Sequence, residues 1–149
     1  MEIADELYRE VILDHYKSPR HHGKIKNPDI LEFGSNPLCG DELELYLGFK
    51  DGKIFEIAFN GKGCSISQAS ASLMTEAVFN RDVSEARKIA SDFREMMVEG
   101  RPAENLPEVL EDSRSLEGVK KYPVRIKCAL LSWNTLLEAL KKYEKRKAA

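Results

Sequence analysis

"ELELYLGFKDGKIFEIAFNG", Glu42 to Gly61, decides the architecture. Leu43, Leu45, Leu47 and Phe49 alternate with Glu42, Glu44, Tyr46 and Gly48, the period of a strand with one face toward a core. Asp51-Gly52 supplies a two-residue turn, and the return strand is expected to put Phe55, Ile57 and Phe59 on one face. The short alternating run "DILEF", Asp29 to Phe33, precedes the hairpin, so a three-stranded antiparallel sheet is predicted.

On both sides of the sheet the period changes. "ADELYREVILDHYKSP" has Leu7, Val11, Ile12 and Tyr16 at helical spacing, predicting an amphipathic helix over Ile3–Lys17 that Pro19 ends. "RHHGKIKNPD" is loop, broken by Gly23 and Pro28. After the hairpin, "GKGCSISQASASLMTEAVF" turns helical at Ser65 or Ser67 and runs to Phe79, with small residues in its first half that suit close packing. In "VSEARKIASDFREMMVEG", Ser84 can cap a helix whose stripe is Ala86, Ile89, Ala90, Phe93 and Met97, and Gly100 stops it. "RPAENLPEVLEDSRSLEGVKKYP" is expected to be irregular, with short turns around Leu106 to Leu110. Pro123 suits the entry of a long last helix that buries Ile126, Leu130, Trp133, Leu137 and Leu140. The strands are consecutive, so the class is α+β: a small sheet with helices packed on one face, forming one domain over residues 1–149.

Composition narrows the function. A hydrophobic fraction of 42% is enough for a core, yet no apolar run approaches the roughly 18 residues of a membrane span. The acidic, amphipathic start lacks the pattern of a secretory signal, which points to the cytoplasm. With 25 acidic against 23 basic residues, nucleic acid is not the expected partner, and the basic run "KKYEKRKAA" reads as a solvated helix end.

The three cysteines argue against a disulfide framework and leave inert thiols, a reactive thiol or a metal site. Cys39 sits in the loop "NPLCGD" before the hairpin, Cys64 in a glycine-rich turn entering a helix, and Cys128 in the first turns of the last helix. Antiparallel geometry returns the chain after Phe59 to the end where Glu42 began, so the Cys39 and Cys64 loops share one side. A last helix starting at that side brings in Cys128. Helix starts favour thiolate over thiol, and Lys62, Arg125 and Lys127 add positive charge beside the sulfurs. A tetrahedral site wants a fourth donor. Asp41 stands two residues from Cys39, and spacing alone leaves it open between ligand and turn residue. Because a carboxylate is harder than thiolate, a set of three cysteines and one aspartate opens more readily than an all-cysteine set. His15, His21 and His22 read as ordinary, non-ligating residues.

"NPLCGD", "GKGCSISQASASLM" and "VRIKCALLSW", in that order and with the opening "LYREVILDHYKSPRHHG", resemble the iron–sulfur cluster assembly scaffold family, the IscU, SufU and NifU N-terminal group. The likeness covers nearly the whole chain. It implies an α+β fold with a metal site at one end of the sheet, and Cys39, Asp41, Cys64 and Cys128 as ligands of zinc or of a transient iron–sulfur cluster. The implied partners are a cysteine desulfurase of the SufS type and apo iron–sulfur acceptor or other cluster-assembly proteins, with no membrane. Lys127 stands where the usual scaffold form has histidine, and the stretch "EGRPAENLPEVLEDSRSLEG" is extra; both features look like the SufU branch. The chaperone-recruiting motif "LPPVK" is replaced by "KKYPVRIK". Cys39, on the most open loop, is the expected persulfide acceptor. The alternatives are a zinc-dependent sulfurtransferase that carries no cluster, and a zinc-stabilised interaction domain without chemistry.

Overall fold

The computed structural model describes the backbone of residues 3–148 and the side chains of residues 8–148, so the predicted burial of Leu7 lies outside the described residues. Strands β1 (Ile30–Asn36), β2 (Asp41–Lys50) and β3 (Lys53–Lys62) form one antiparallel sheet in the order β1-β2-β3. Asp51 and Gly52 both take positive φ, 53° and 76°, the paired left-handed geometry that matches the twist of a two-residue hairpin. Leu43, Leu45 and Leu47 are buried as the alternation predicts.

The return strand corrects one expectation. Gly48 pairs with Glu56 but Phe49 pairs with Ile54, so the register slips by one residue between them. Phe55 is the extra residue of this bulge and turns outward at 50% exposure, while Ile54 takes the core position at 0%. Ile57 and Phe59 lie in the core as expected.

Helices α2 (Ser65–Val78) and α4 (Pro123–Ala148) pack on the Leu45 face, and α1 (Ile3–Lys17) and α3 (Val83–Val98) pack against those helices. Val11 and Ile12 of α1 rest on the core, but Tyr16 is largely exposed. α3 begins at Val83, with Asp82 at the cap position, so Ser84 lies inside the first turn rather than capping it. Its expected stripe, Ala86, Ile89, Ala90, Phe93 and Met97, is buried. α4 lies close against β1, since a side chain at Gly34 would collide with Thr135 Oγ1. The Trp133 ring stacks on Phe93 with centroids 4.1 Å apart. Trp133 Nε1–H donates to Ser70 Oγ at 2.9 Å, and that hydroxyl donates to the Ala129 carbonyl at 2.6 Å, tying α2 to α4.

Two segments are more ordered than their sequence suggests. "RHHG" pairs along the edge of β3: Phe59 N–H donates to the His21 carbonyl and Gly23 N–H to the Phe59 carbonyl, at 2.9 and 2.8 Å. The stretch expected to be irregular winds into three 3-10 helices, Ala103–Asn105, Glu108–Leu110 and Asp112–Lys121. Pro102 and Pro107 interrupt any longer α-helix, yet Leu106, Leu110 and Leu116 are buried and hold the segment down. Arg101 anchors its start to Asp92 and Glu95, both at 2.8 Å. Among the described residues, no helix is long and apolar enough to cross a membrane.

Candidate metal centre

Asp41 points inward because it is in phase with Leu43, Leu45 and Leu47 on β2. It pairs in register with Asn36, and the two close a tight β1–β2 turn instead of a loose surface loop. Both are buried, at 1% and 6% exposure, whereas Cys39 on the turn between them is half-buried. Cys128 sits one turn into α4, the helix held against β1 at Gly34, and is fully buried.

The result is a convergence of donors. Cys39 Sγ, one Asp41 oxygen and Cys128 Sγ lie within 4.8 Å of one another. Cys128 Sγ is 3.1 Å from Cys39 Sγ. Donors that close together need only small side-chain adjustments to meet one ion at the ~2.3 Å of a zinc–sulfur bond. The Cys64 sulfur, also expected as a donor, is not among the atoms within that 4.8 Å, although Cys64 adjoins the group at the N-cap of α2. Its backbone N–H donates to Asp41 Oδ1 at 2.9 Å, and its sulfur caps the helix by accepting the Ser67 N–H at 3.5 Å. Two sulfurs and a carboxylate oxygen, with a third sulfur adjacent, form a donor set that suits a borderline-soft tetrahedral ion such as zinc.

The charges around the sulfurs are arranged unequally. Burial pushes the Cys128 thiol well above its usual value, reinforced by hydrogen bonds with Cys39, Asp41 and Cys64 and by the Cys64 charge. The pKa of the exposed Arg125 guanidinium is raised first by charge interaction with Cys64, then by hydrogen bonds to Cys128 and Cys64. Lys62, expected to support the site, is exposed and lies 3.9 Å from Glu42 instead, and Lys127 is exposed on α4. Arg125 is therefore the cation that engages the sulfurs among the three expected.

Two residues of the site were not singled out in the sequence. Ser67 Oγ lies 3.1 Å from Asp41 Oδ1, and Asn36 Nδ2 lies 3.4 Å from Asp41 Oδ2 and 3.6 Å from Cys128 Sγ. A signal for Asn36 was present, since it stands before the turn proline and faces Asp41 across it. Ser67 is three residues past Cys64, one turn along the helix, and that spacing points it at the same place. The histidines hold no part of the centre. His15 is buried, with Nδ1 2.7 Å from Ser72 Oγ, and His21 Nδ1 is 3.0 Å from Thr75 Oγ1.

Comparison with known proteins finds relatives over nearly the whole chain. The zinc-dependent sulfurtransferase SufU of Bacillus subtilis is 44% identical over 141 residues, covering 94% of this chain and 93% of the relative. The iron–sulfur cluster assembly scaffold protein IscU of Streptococcus pyogenes is also 44% identical, covering 93% of this chain and 85% of its own length. A crystal structure of the N-terminal part of a nitrogen-fixing NifU-like protein from Brucella abortus superposes with a TM-score of 0.85 at 26% identity, covering 97% of this chain and 99% of that one. The family model for the NifU-like N terminal domain matches residues 7–129, spanning every donor described above, and the chain belongs to that family.

Proposed function

We propose that this protein serves iron–sulfur cluster biogenesis: it accepts persulfide sulfur from a cysteine desulfurase on Cys39 and assembles or relays it at a centre of Cys39, Asp41, Cys64 and Cys128. The observation that carries this reading is the convergence of Cys39, Asp41 and Cys128 within 4.8 Å. Zinc fits the donor set and, when bound, would hold the cysteines as thiolates; a nascent iron–sulfur cluster is the cargo. The protein works as one cytoplasmic domain, with a SufS-type desulfurase supplying sulfur and apo iron–sulfur proteins receiving the product.

Sulfur transfer follows thiol–disulfide chemistry. The Cys39 thiolate attacks the outer sulfur of the donor persulfide, the bond to the donor cysteine breaks, and that cysteine leaves as thiolate. The outer sulfur keeps its proton and ends on Cys39, with no net oxidation. Cys39 suits this role because it is half-buried on a turn, beside a broad open groove that also exposes Leu38 and Val124. Cys128, fully buried, is out of a partner's reach, and Arg125 stands ready to balance charge left on the neighbouring sulfurs.

The test is sulfur labelling from radiolabelled cysteine and a desulfurase. The wild-type protein is expected to carry label that reductant releases, and Cys39→Ser to carry none while still folding. Equal labelling of Cys39→Ser would falsify the assignment. The name of the Bacillus subtilis relative favours a second reading, a sulfurtransferase that carries no cluster. Anaerobic addition of iron, desulfurase and cysteine separates the two: a visible chromophore supports cluster assembly, and labelling without colour supports transfer alone.

A further inference from the structure

Resting on the metal-centre reading above, we infer that Ser67 and Asn36 are positioning residues that force Asp41 to present one oxygen, and only one, to the metal. The two oxygens of this carboxylate have different neighbours. Oδ1 accepts from Cys64 N–H at 2.9 Å and lies 3.1 Å from Ser67 Oγ. Oδ2 is on the sulfur side, because the single Asn36 amide nitrogen that lies 3.4 Å from it also lies 3.6 Å from Cys128 Sγ. That amide carries two hydrogens, enough for both acceptors.

The arrangement is tight on its third side as well. A methyl group at Gly63 would collide with both Asp41 Oδ1 and Ser67 Oγ. Glycine at 63 therefore leaves the space in which the carboxylate meets the serine, and the Cys64 backbone follows at once to cap it. Asp41 and Ser67 are 1% and 5% exposed, so water does not compete freely for these bonds.

The consequence is a choice of coordination. A free carboxylate can bind through both oxygens and raise the coordination number, which suits larger, oxygen-seeking cations. Oδ1 accepts the Cys64 N–H and faces the Ser67 hydroxyl, whose single hydrogen it shares with the Cys64 carbonyl, also 3.1 Å away. With Oδ1 so engaged, Asp41 binds through Oδ2 alone, and with sulfur donors the centre stays four-coordinate, as zinc prefers. Outer partners of metal ligands typically change affinity ~10–100-fold when removed. Ser67 and Asn36 thus select the ion by geometry without touching it.

Cobalt is the probe, since its d–d bands are strong in a four-coordinate thiolate site and weaker when a fifth donor joins. Ser67→Ala and Asn36→Ala are each expected to weaken zinc binding ~10–100-fold in chelator competition and to weaken the cobalt d–d bands, with the metal-free melting curve near wild type. Gly63→Ala, whose backbone is exposed but whose added methyl pushes on the same carboxylate, is expected to do likewise, and Asn36→Ala serves if Ser67→Ala does not fold. Wild-type zinc affinity and cobalt bands in these variants, alongside losses in Asp41→Ala, would overturn the proposal and leave the metal centre standing. A wild-type protein with no thiolate-to-cobalt charge-transfer band would overturn both.

Discussion

His15 shows how much one side chain can depend on its setting. Its Nδ1 is 2.7 Å from Ser72 Oγ, and the same hydroxyl accepts the Arg20 backbone N–H at 2.8 Å. The hydroxyl hydrogen is then free to point at Nδ1, a bond that only the neutral imidazole can accept. Burial lowers its pKa below the ordinary 6.5, and Arg20 adds to the shift, against opposing pulls from Glu76, Asp14 and Asp112. A base whose folded pKa is lowered binds fewer protons folded than unfolded, so stability is complete above pH 6.5 and falls as pH drops through 6.5 toward the lowered folded value. Thermal melts across that range are expected to show this slope in the wild type and a flatter one in His15→Gln. An identical slope in both would remove His15 as its source. Nothing in "VILDHYK" announced the burial, since the partner Ser72 lies 57 positions away.

At the scale of the element, the β2–β3 hairpin separates what alternation reveals from what it hides. Leu43, Leu45 and Leu47 are where a period of two puts them, and Asp41 two places earlier inherits the same inward direction. The bulge at Gly48/Phe49 breaks the pattern on the partner strand, which is why Phe55, the larger and more apolar-looking choice, lost the core position to Ile54. Ile54→Ala is expected to cost ~2–5 kcal/mol in denaturant unfolding. Phe55→Ala, at a half-exposed position, is expected to cost well under that. The reverse ranking would mean that the register is continuous. The end of α1 at Lys17 was legible because Pro19 stops the helix, while the ten-residue 3-10 helix was not, since its period is neither that of an α-helix nor of a strand.

Across the whole molecule, the centre exists because three separate packings meet. α4 presses on β1 at Gly34, α2 is tied to α4 through Ser70, and the β1–β2 turn holds Cys39 between them. Hairpin geometry put the Cys39 and Cys64 loops on one side, but that α4 starts there with Cys128, that Cys64 caps α2, and that Asn36 and Ser67 bond Asp41 depend on long-range packing that local sequence does not carry. Ser70→Ala leaves the buried Trp133 N–H without its acceptor, a loss of ~1–3 kcal/mol. The lone tryptophan makes this measurable directly, as a fluorescence-detected unfolding midpoint lower than wild type. An unchanged midpoint would show that the α2–α4 tie is not a stabilising one.

The separation of 89 positions between Cys39 and Cys128 also sets a timetable. A ribosome makes the turn and its aspartate long before it makes the helix that brings the buried sulfur. Until translation passes that point, a growing chain offers an ion only part of a nest. On the proposed function, loading therefore waits on synthesis, and a truncated product missing that helix would be poorly equipped to hoard metal or sulfide.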